Sequence, residues 1–415
     1  MNYSKWATEE ELTKILEKYP TKEKIKYSGL PIIYKEDKLF YDNTEGHAII
    51  IDNKNIATNS LIIPKLKLAC LANENTLIET FNEDIIKESK NYYSEYGYKI
   101  TVLNLKDLES SQNFNPLKLI ADLYQKQQYD EVYNLLNEIA YYIFKDHSTL
   151  DSYWNDTVAD YFIGLVLYHL NNHNYLVNLN DVYSLSQNID NEKLSPQSSH
   201  YKYLVATLNA PTETKGNIIS IFNQKIRCLI DNDILVNKTS TQEYQMTDLL
   251  NKKNLVFIIN VNYDYAKILS TIFLSEYFYC LSKTTTESTR KNIILENFDQ
   301  SKPLRNVWQF LMDSRKLNIN LLFTISDFKK LVYATSEEIT SDIIGNCKNI
   351  VYLGSMDDKT TEEISKMCGL AYKETPLITA TELKQIPINQ AIILRYCTNP
   401  IKTNLISNLN IKWNI

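Results

Sequence analysis

Over residues 28–116, short runs of apolar residues alternate with stretches in which apolar residues recur at helical spacing. Short apolar runs predict buried strands, and the stretches between the later runs repeat at helical spacing. Strand and helix in alternation are typical of a parallel sheet with crossover helices. The predicted strands cover 32–34, 39–41, 48–51, 76–80 and 99–105, and the predicted helices cover 61–72 and 85–96, the second ending at Gly97.

The pattern changes after Asn115 and Pro116. Helical spacing then continues almost without a break to residue 250, which predicts an all-α insertion in an α/β domain. Strand-like runs return at 254–261, 292–295, 320–325, 349–353 and 391–395. The predicted domains are 1–27, an N-terminal helix and basic stretch; 28–116, the first α/β part; 117–250, the all-α insertion; and 251–415, the second α/β part.

Composition excludes several classes of protein. With 44% hydrophobic and 23% charged residues in 415, the chain is typical of a soluble globular protein. The six cysteines are scattered without a C-x-x-C pair, so we expect neither a disulfide framework nor a metal site, and a reducing cytoplasm is favoured. No segment approaches the roughly 20 apolar residues of a membrane span. We therefore expect a cytoplasmic protein that reaches a membrane only through partners.

The net charge of the chain bears on whether it binds nucleic acid. Non-specific affinity comes mainly from lysine and arginine side chains that neutralise phosphates, and the formal net charge of −6 argues against a broad surface of that kind. Lysine clusters at 21–26, 65–67 and 329–330 are interpreted as solvated faces. A local contact with DNA stays open.

Residues 46–64 are predicted to form a buried strand, a turn and the start of a helix, where a nucleotide-binding protein keeps its phosphate loop. Such a loop reads G-x-x-x-x-G-K-[ST], because glycines let successive N–H groups curl around the phosphates, lysine reaches the terminal phosphates and Ser or Thr holds Mg²⁺. The chain has only 8 glycines, none paired at this spacing. The corresponding positions hold Asp52, Ala57, Thr58 and Asn59, with Asn55 inside the turn.

An active site at this turn would need a substitute for the missing lysine. Lys54 or a cation from a neighbouring subunit would have to supply it. Asp52 would add a repelling charge beside a triphosphate. The turn is therefore predicted to be a strand-to-helix connection without a phosphate.

Several motifs in a fixed order resemble the VirD4/TraG-type coupling ATPases of type IV secretion and conjugation. Gly46 and His47 with three apolar residues are similar to the strand before that family's Walker A loop. The resemblance runs over nearly the whole length from about Ser28, and it implies a RecA-like P-loop NTPase core with a parallel-type sheet, interrupted by an all-α insertion domain. The other similar segments are 60–64, 96–104, 114–117, the Tyr153–Trp154 pair, 345–355, 364–366 and 377–394.

The catalytic motifs of that family are altered here. The segment that corresponds to its "DPKGE" is 80–84, without the Lys and Gly, and the sensor Gln is missing near 325–326. The Walker B "DEFG" corresponds to Glu-Asn-Phe-Asp from Glu296; Glu296 could still hold Mg²⁺, but the neutral Asn297 would be a poor base. Arg315 is the candidate for a vestigial arginine finger.

These departures predict a catalytically degenerate pseudo-ATPase, with no catalytic residue and no binding of ATP or Mg²⁺. The resemblance implies protein partners in a conjugation or type IV secretion apparatus: a coupling ATPase, a relaxosome component or a secreted substrate. The predicted role is a cytoplasmic adaptor or accessory factor that recruits substrate or relaxosome. Two alternatives stay open: an active ATP-dependent DNA or protein translocation motor with a divergent nucleotide site, and a DNA-binding module without ATPase activity.

Overall fold

The computed structural model describes residues 3–145, 152–172, 176–192, 194–284, 289–301, 304–305, 307–314 and 316–413. The chain divides into two compact units. Unit 1 comprises Met1–Thr101, Leu249–Ile259 and Leu281–Ile415, and unit 2 comprises Val102–Asp248 and Asn260–Cys280. Unit 2 thus includes residues 102–116 and 260–280 as well as most of the predicted insertion. The predicted domain boundaries themselves stay a prediction.

Most strands fall where apolar runs occur in the sequence; the short strands at 17–19, 370–372, 375–376 and 401–404 were not predicted. The strands are β1 Glu17–Tyr19, β2 Leu30–Lys35, β3 Lys38–Asp42, β4 His47–Asp52, β5 Asn75–Thr80, β6 Lys99–Asn104, β7 Asn254–Ile259, β8 Lys291–Leu295, β9 Ile319–Ile325, β10 Cys347–Gly354, β11 Leu370–Tyr372, β12 Thr375–Pro376, β13 Gln390–Arg395 and β14 Ile401–Asn404.

A nine-stranded sheet organises these strands in the order β14-β13-β10-β4-β9-β8-β5-β7-β6. From β10 to β7 every neighbouring pair is parallel, whereas β13 runs antiparallel to β10 and to β14. Smaller sheets join β1, β3 and β2, and β11 and β12. The predicted α/β fold with a largely parallel sheet is confirmed.

Strand β4 lies between two parallel neighbours and is buried along its whole length. Parallel strands with both faces covered read as continuous apolar runs, and Ile49, Ile50 and Ile51 are fully buried. The strand ends at Asp52, which places that side chain at the carboxyl edge of the sheet.

His47 fixes the beginning of β4. Its Nδ1 accepts the backbone N–H of Leu321, the neighbouring residue on β9, at 3.1 Å. The proton of the neutral ring is therefore on Nε2, which faces the Ser314 hydroxyl at 2.9 Å. This buried side chain ties β4 to β9 and to the helix that precedes β9.

The helices of unit 1 connect its strands, except for the first helix, which precedes β1. Thr8 and Glu11 cap the first of them with a reciprocal capping box, as their spacing predicts. These helices are α1 Glu9–Thr13, α2 Ile63–Leu71, α3 Asp84–Glu95, α12 Val307–Ser314, α13 Phe328–Ala334, α14 Glu337–Asn346, α15 Asp358–Cys368 and α16 Ala380–Lys384. A π-helical turn, Thr58–Ile62, leads into α2.

Unit 2 is helical and has its own aromatic core. Phe144 stacks on Phe222 with ring centroids 5.6 Å apart, and Phe162 and Tyr161 pack against these two rings. Its helices are α4 Lys118–Gln125, α5 Tyr129–Phe144, α6 Ser152–Asn172, α7 Leu179–Ser186, α8 Tyr201–Leu208, α9 Thr212–Ile230, α10 Asp233–Ser240 and most of α11 Asp264–Lys283. In the part of the chain that the structure describes, no helix combines the length and apolarity that crossing a membrane requires.

A buried ion pair joins two strands of unit 1. Asp42 at the end of β3 accepts hydrogen bonds from Arg395 Nε at 3.0 Å and from Asn349 Nδ2 at 2.9 Å. Burial raises the pKa of Asp42, but the hydrogen bonds from Arg395 and Asn349 outweigh it and hold the pKa below its usual value. The pair links the end of β3 to the end of β13.

We expect Asp42→Asn to lower the free energy of unfolding by about 3 kcal/mol, because it leaves the Arg395 guanidinium buried without a counter-charge. Urea unfolding of the variant and the parent protein measures the difference. The matched control is Asp37→Asn, which breaks the exposed ion pair with Lys412 and should leave stability nearly unchanged. Equal effects of the two substitutions would contradict the assigned role of the Asp42 pair.

Candidate functional site

Four polar side chains meet at the carboxyl edge of the large sheet. Strands β4, β9, β8 and β5 are consecutive there and parallel. Their carboxyl ends bring together Asp52, Thr324, Glu296 and Thr80. Ligands of open parallel sheets bind at this edge, so it is the candidate site.

The Asp52 carboxylate accepts hydrogen bonds from the turn that follows it. Oδ1 accepts the N–H of Lys54 at 2.9 Å, and Oδ2 accepts the N–H groups of Ile56 at 2.8 Å and Ala57 at 2.7 Å. Asn55 adopts a left-handed backbone with φ of 56°, a conformation that asparagine tolerates. A carboxylate thus takes the N–H donors that a phosphate loop offers to its ligand.

Lys54 does not supply the missing lysine. Its Nζ donates to the carbonyl oxygen of Ile386 at 2.7 Å. Its aliphatic stem lies over Gly354, where an added Cβ would come within 2.6 Å of Lys54 Cε. Burial lowers the pKa of Lys54, and the charge of Asp52 opposes that shift. The ammonium is therefore committed to another part of unit 1.

Glu296 follows β8 and holds two hydroxyl groups. Thr58 Oγ1 donates to its Oε1 at 2.8 Å, and the Thr80 hydroxyl donates to its Oε2. Burial raises the pKa of Glu296; hydrogen bonds from Thr80 and Thr58 oppose the rise, and the negative charge of Asp52 adds to it. Both carboxylate oxygens are thus engaged by side chains of unit 1.

Asn297 directly follows Glu296, at the position that the family resemblance aligns with a catalytic glutamate. Its backbone is left-handed, with φ of 52°, and its N–H donates to Thr324 Oγ1 at 2.8 Å. Phe298 is buried against Phe323, and Asp299 accepts the N–H of Ser326 at 2.8 Å. The segment after β8 is therefore fixed by contacts with β9.

A cavity of about 220 Å³ lies between these groups. Two of its lining side chains are carboxylates, and no lysine or arginine lines it among the described residues. A triphosphate would meet repulsion here, and the N–H donors of the turn already have an acceptor. No group of three or more potential metal ligands occurs in the described ranges either. The lining residues are Asp52, Asn55, Ala57, Thr58, Phe81, Asn82, Glu296, Asn297 and Thr324.

Most of the site positions selected from the sequence line this cavity, but not all. Asn59, at the hydroxyl position of the motif, is exposed, and Thr58 is the residue whose hydroxyl faces Glu296. Arg315 lies outside the described residues. The roles of Thr80 and Thr324 were not foreseen, although each is a polar residue near the carboxyl end of a buried strand, which is the signal that could have identified them.

Comparisons with known proteins agree with this geometry. The sequence matches the family "Type IV secretory system Conjugative DNA transfer" over residues 81–375. The unbound conjugative coupling protein TrwBdeltaN70 aligns with a TM-score of 0.71 at 12% identity, covering 100% of this chain and 94% of that one. TrwB in complex with the ATP analogue ADPNP gives 0.71 at 11%, with 98% and 94% covered. VirB4 of Thermoanaerobacter pseudethanolicus gives 0.57 at 12%, with 92% and 96% covered. No curated protein matches the chain.

A largely parallel sheet with a polar cluster at its carboxyl edge, together with a helical insertion, defines a RecA-like fold of the P-loop NTPase class, and that prediction is confirmed. The family match spans more than half of the sequence. The chain belongs to the conjugative DNA transfer proteins of type IV secretory systems.

Glu296 gives a test of the site by stability. When the pKa of a carboxyl group is higher in the folded than in the unfolded chain, ionisation of that group destabilises the fold. The protein then loses free energy of unfolding as the pH rises from the unfolded-chain pKa, about 4.3, through the folded-state pKa. We expect Glu296→Gln to raise the free energy of unfolding at pH 7, and the gain to shrink as the pH falls toward about 4. Glutamine still accepts from one hydroxyl and can donate to the other.

Urea unfolding at several pH values measures this difference. Glu95→Gln, at an exposed position at the end of α3, is the control and should give a curve parallel to that of the parent protein. A Glu296→Gln curve that also stayed parallel would show that Glu296 does not carry the pH dependence.

Proposed function

We propose that this chain is a pseudo-ATPase of its family, which acts as an adaptor or accessory factor in conjugation or type IV secretion. The observation that carries the proposal is the engagement of the turn's N–H groups by the Asp52 carboxylate. An incoming phosphate would have to displace an acceptor attached to the same turn and overcome its charge.

The second support is the composition of the segment after β8, among the described residues of the site. Hydrolysis of a nucleotide needs a group that positions or deprotonates the attacking water. Asn297 is neutral, and Glu296 is hydrogen-bonded to Thr58 and Thr80. A site of this composition does not favour phosphoryl transfer, and we expect neither ATP nor Mg²⁺ as a cofactor.

Family membership supports the proposed partners. Proteins of a conjugation or type IV secretion apparatus are the expected ones: a coupling ATPase, a relaxosome component or a secreted substrate. Recruitment would then depend on protein surfaces rather than on nucleotide turnover. In this proposal the RecA-like sheet serves as a scaffold.

One observation favours the alternative of an active motor with a divergent site. The Thr58 hydroxyl lies 2.8 Å from Glu296, and active P-loop enzymes hold Mg²⁺ with a hydroxyl and an acidic residue of this kind. A hydroxyl and an acidic residue are thus paired here, although the hydroxyl comes from the lysine position of the motif and the lysine itself is absent. The two functions differ in whether ATP is bound and hydrolysed when Mg²⁺ is present.

Calorimetric titration with ATP and Mg²⁺, with a phosphate-release assay, decides between them. We expect no Mg²⁺-dependent binding and no turnover above buffer, because the turn's donors are occupied and the cavity is acidic. Glu296→Gln is the matched variant and should not differ from the parent protein. Micromolar affinity with turnover that Glu296→Gln abolishes would establish the motor instead.

Capture from the native host tests the adaptor role. We expect the full-length chain, used as bait, to retain proteins of a conjugation or type IV secretion apparatus, identified by mass spectrometry. The Glu296→Gln bait should retain the same proteins, since the proposed recruitment does not use the site. Capture that required ATP, or that was lost in Glu296→Gln, would count against a nucleotide-independent adaptor.

A further inference from the structure

A second cavity, of about 460 Å³, lies at the opposite edge of the same sheet. Glu74 directly precedes β5, Lys253 precedes β7 and Arg290 precedes β8. The cavity is therefore at the amino edge of the sheet, away from the turn after β4. Its lining residues are Lys26, Tyr27, Ala72, Asn73, Glu74, Gly97, Lys252, Lys253, Thr289 and Arg290.

Arg290 is a buried cation in this lining, with 4% of its surface exposed. Its Nη1 donates to the carbonyl oxygens of Ser28 at 3.1 Å and Asn43 at 3.0 Å, and the guanidinium lies 4.3 Å from the centre of the Tyr27 ring. Among the described residues its Nε has no hydrogen-bond partner and no carboxylate forms an ion pair with it. A buried guanidinium without a counter-charge is costly unless an anion compensates it.

Glu74, the one carboxylate of the lining, is already engaged. Its Oε1 accepts the N–H of Ser28 at 2.9 Å, and its Oε2 accepts the Ser28 hydroxyl and Asn292 Nδ2. A further buried cation, Lys65, donates to Asn292 Oδ1 at 3.1 Å. The prediction that Lys65 belongs to a solvated face is therefore wrong.

Lys65 lies close enough to Arg290 and to two carboxylates for their charges to act on it. Burial lowers the pKa of Lys65 to about 8; Glu74 opposes that shift, the positive charge of Arg290 adds to it, and Asp42 opposes it. Of these two carboxylates only Glu74 lines the cavity.

Three lysines complete the lining. Lys26 and Lys252 are exposed, and Lys26 Nζ lies 5.2 Å from the centre of the Tyr27 ring. Lys253 Nζ donates to the Tyr96 carbonyl oxygen at 2.7 Å, which leaves two of its three protons for another acceptor. Four cations thus line one concave space whose single carboxylate is hydrogen-bonded.

We propose that this cavity binds the phosphate group of a phosphorylated ligand through Lys26, Lys252, Lys253 and Arg290. The volume is that of a small-molecule site. Lysine and arginine are the side chains that bind phosphate oxygens. The one carboxylate of the lining is already hydrogen-bonded through both oxygens, and the proposed ligand is the free anion without Mg²⁺. The site is independent of the proposed function, which concerns the carboxyl edge.

Inorganic pyrophosphate in buffer without Mg²⁺ is the probe, titrated calorimetrically into the full chain. We expect saturable binding that Lys252→Glu or Lys26→Glu weakens about tenfold or more, since each removes a charge-assisted contact and adds repulsion. Lys252→Arg should retain binding. Lys90→Glu, an exposed lysine of α3 outside the cavity lining, makes the same charge change and should leave the affinity unaltered.

A lipid headgroup could carry the same phosphate chemistry, so a second arm uses vesicles of phosphatidylcholine with and without phosphatidic acid. Sedimentation with the phosphatidic acid vesicles, lost in Lys252→Glu but not in Lys90→Glu, would assign the phosphate to a lipid. Absence of binding in both arms would overturn the proposal. Equal losses in Lys252→Glu and Lys90→Glu would do so too, and so would pyrophosphate binding that required Mg²⁺ and was lost in Glu296→Gln.

Discussion

The carboxylate of Asp52 is the constraint on which the candidate site depends. It accepts the N–H groups of Lys54, Ile56 and Ala57, so the donors that would hold a phosphate are satisfied within the chain. A phosphate loop in an active enzyme keeps such donors for its ligand. Here the acceptor belongs to the same turn, and its effective concentration exceeds that of a free anion. The turn is therefore held in place by its own side chain and needs neither glycine nor nucleotide.

The parallel sheet explains how residues far apart in sequence supply this site. Thr58 and Glu296 are separated by 238 positions, and Thr80 and Glu296 by 216. They meet because the carboxyl ends of parallel strands share one edge. The frame depends on buried strands such as β4, whereas the phosphate chemistry depends on a few side chains at the edge. Replacement of those side chains therefore leaves the fold intact and changes what the edge can bind.

The fold was predictable from the sequence to a much greater extent than the site. A strand covered on both faces must be apolar throughout, so β4, β7 and β9 were visible as hydrophobic runs. The direction of a polar side chain leaves no such pattern. Lys54 was the natural substitute for the missing lysine, yet its Nζ donates to Ile386, 332 positions away. The role of Thr80 likewise depends on a partner that only the tertiary structure brings near.

The two edges of the central strands carry opposite charge, and this decides where unit 1 attracts an anion. In a phosphate-loop protein the helix that follows the turn presents its positive end to the ligand. Asp52 and Glu296 oppose that field at the carboxyl edge, while Arg290 and Lys252 line the amino edge. The chain as a whole has a formal charge of −6. At physiological salt, charges more than about 8 Å from a cavity are largely screened. The side chains that line each cavity therefore matter more to an anion than the net charge of the chain, and phosphate is favoured at the amino edge.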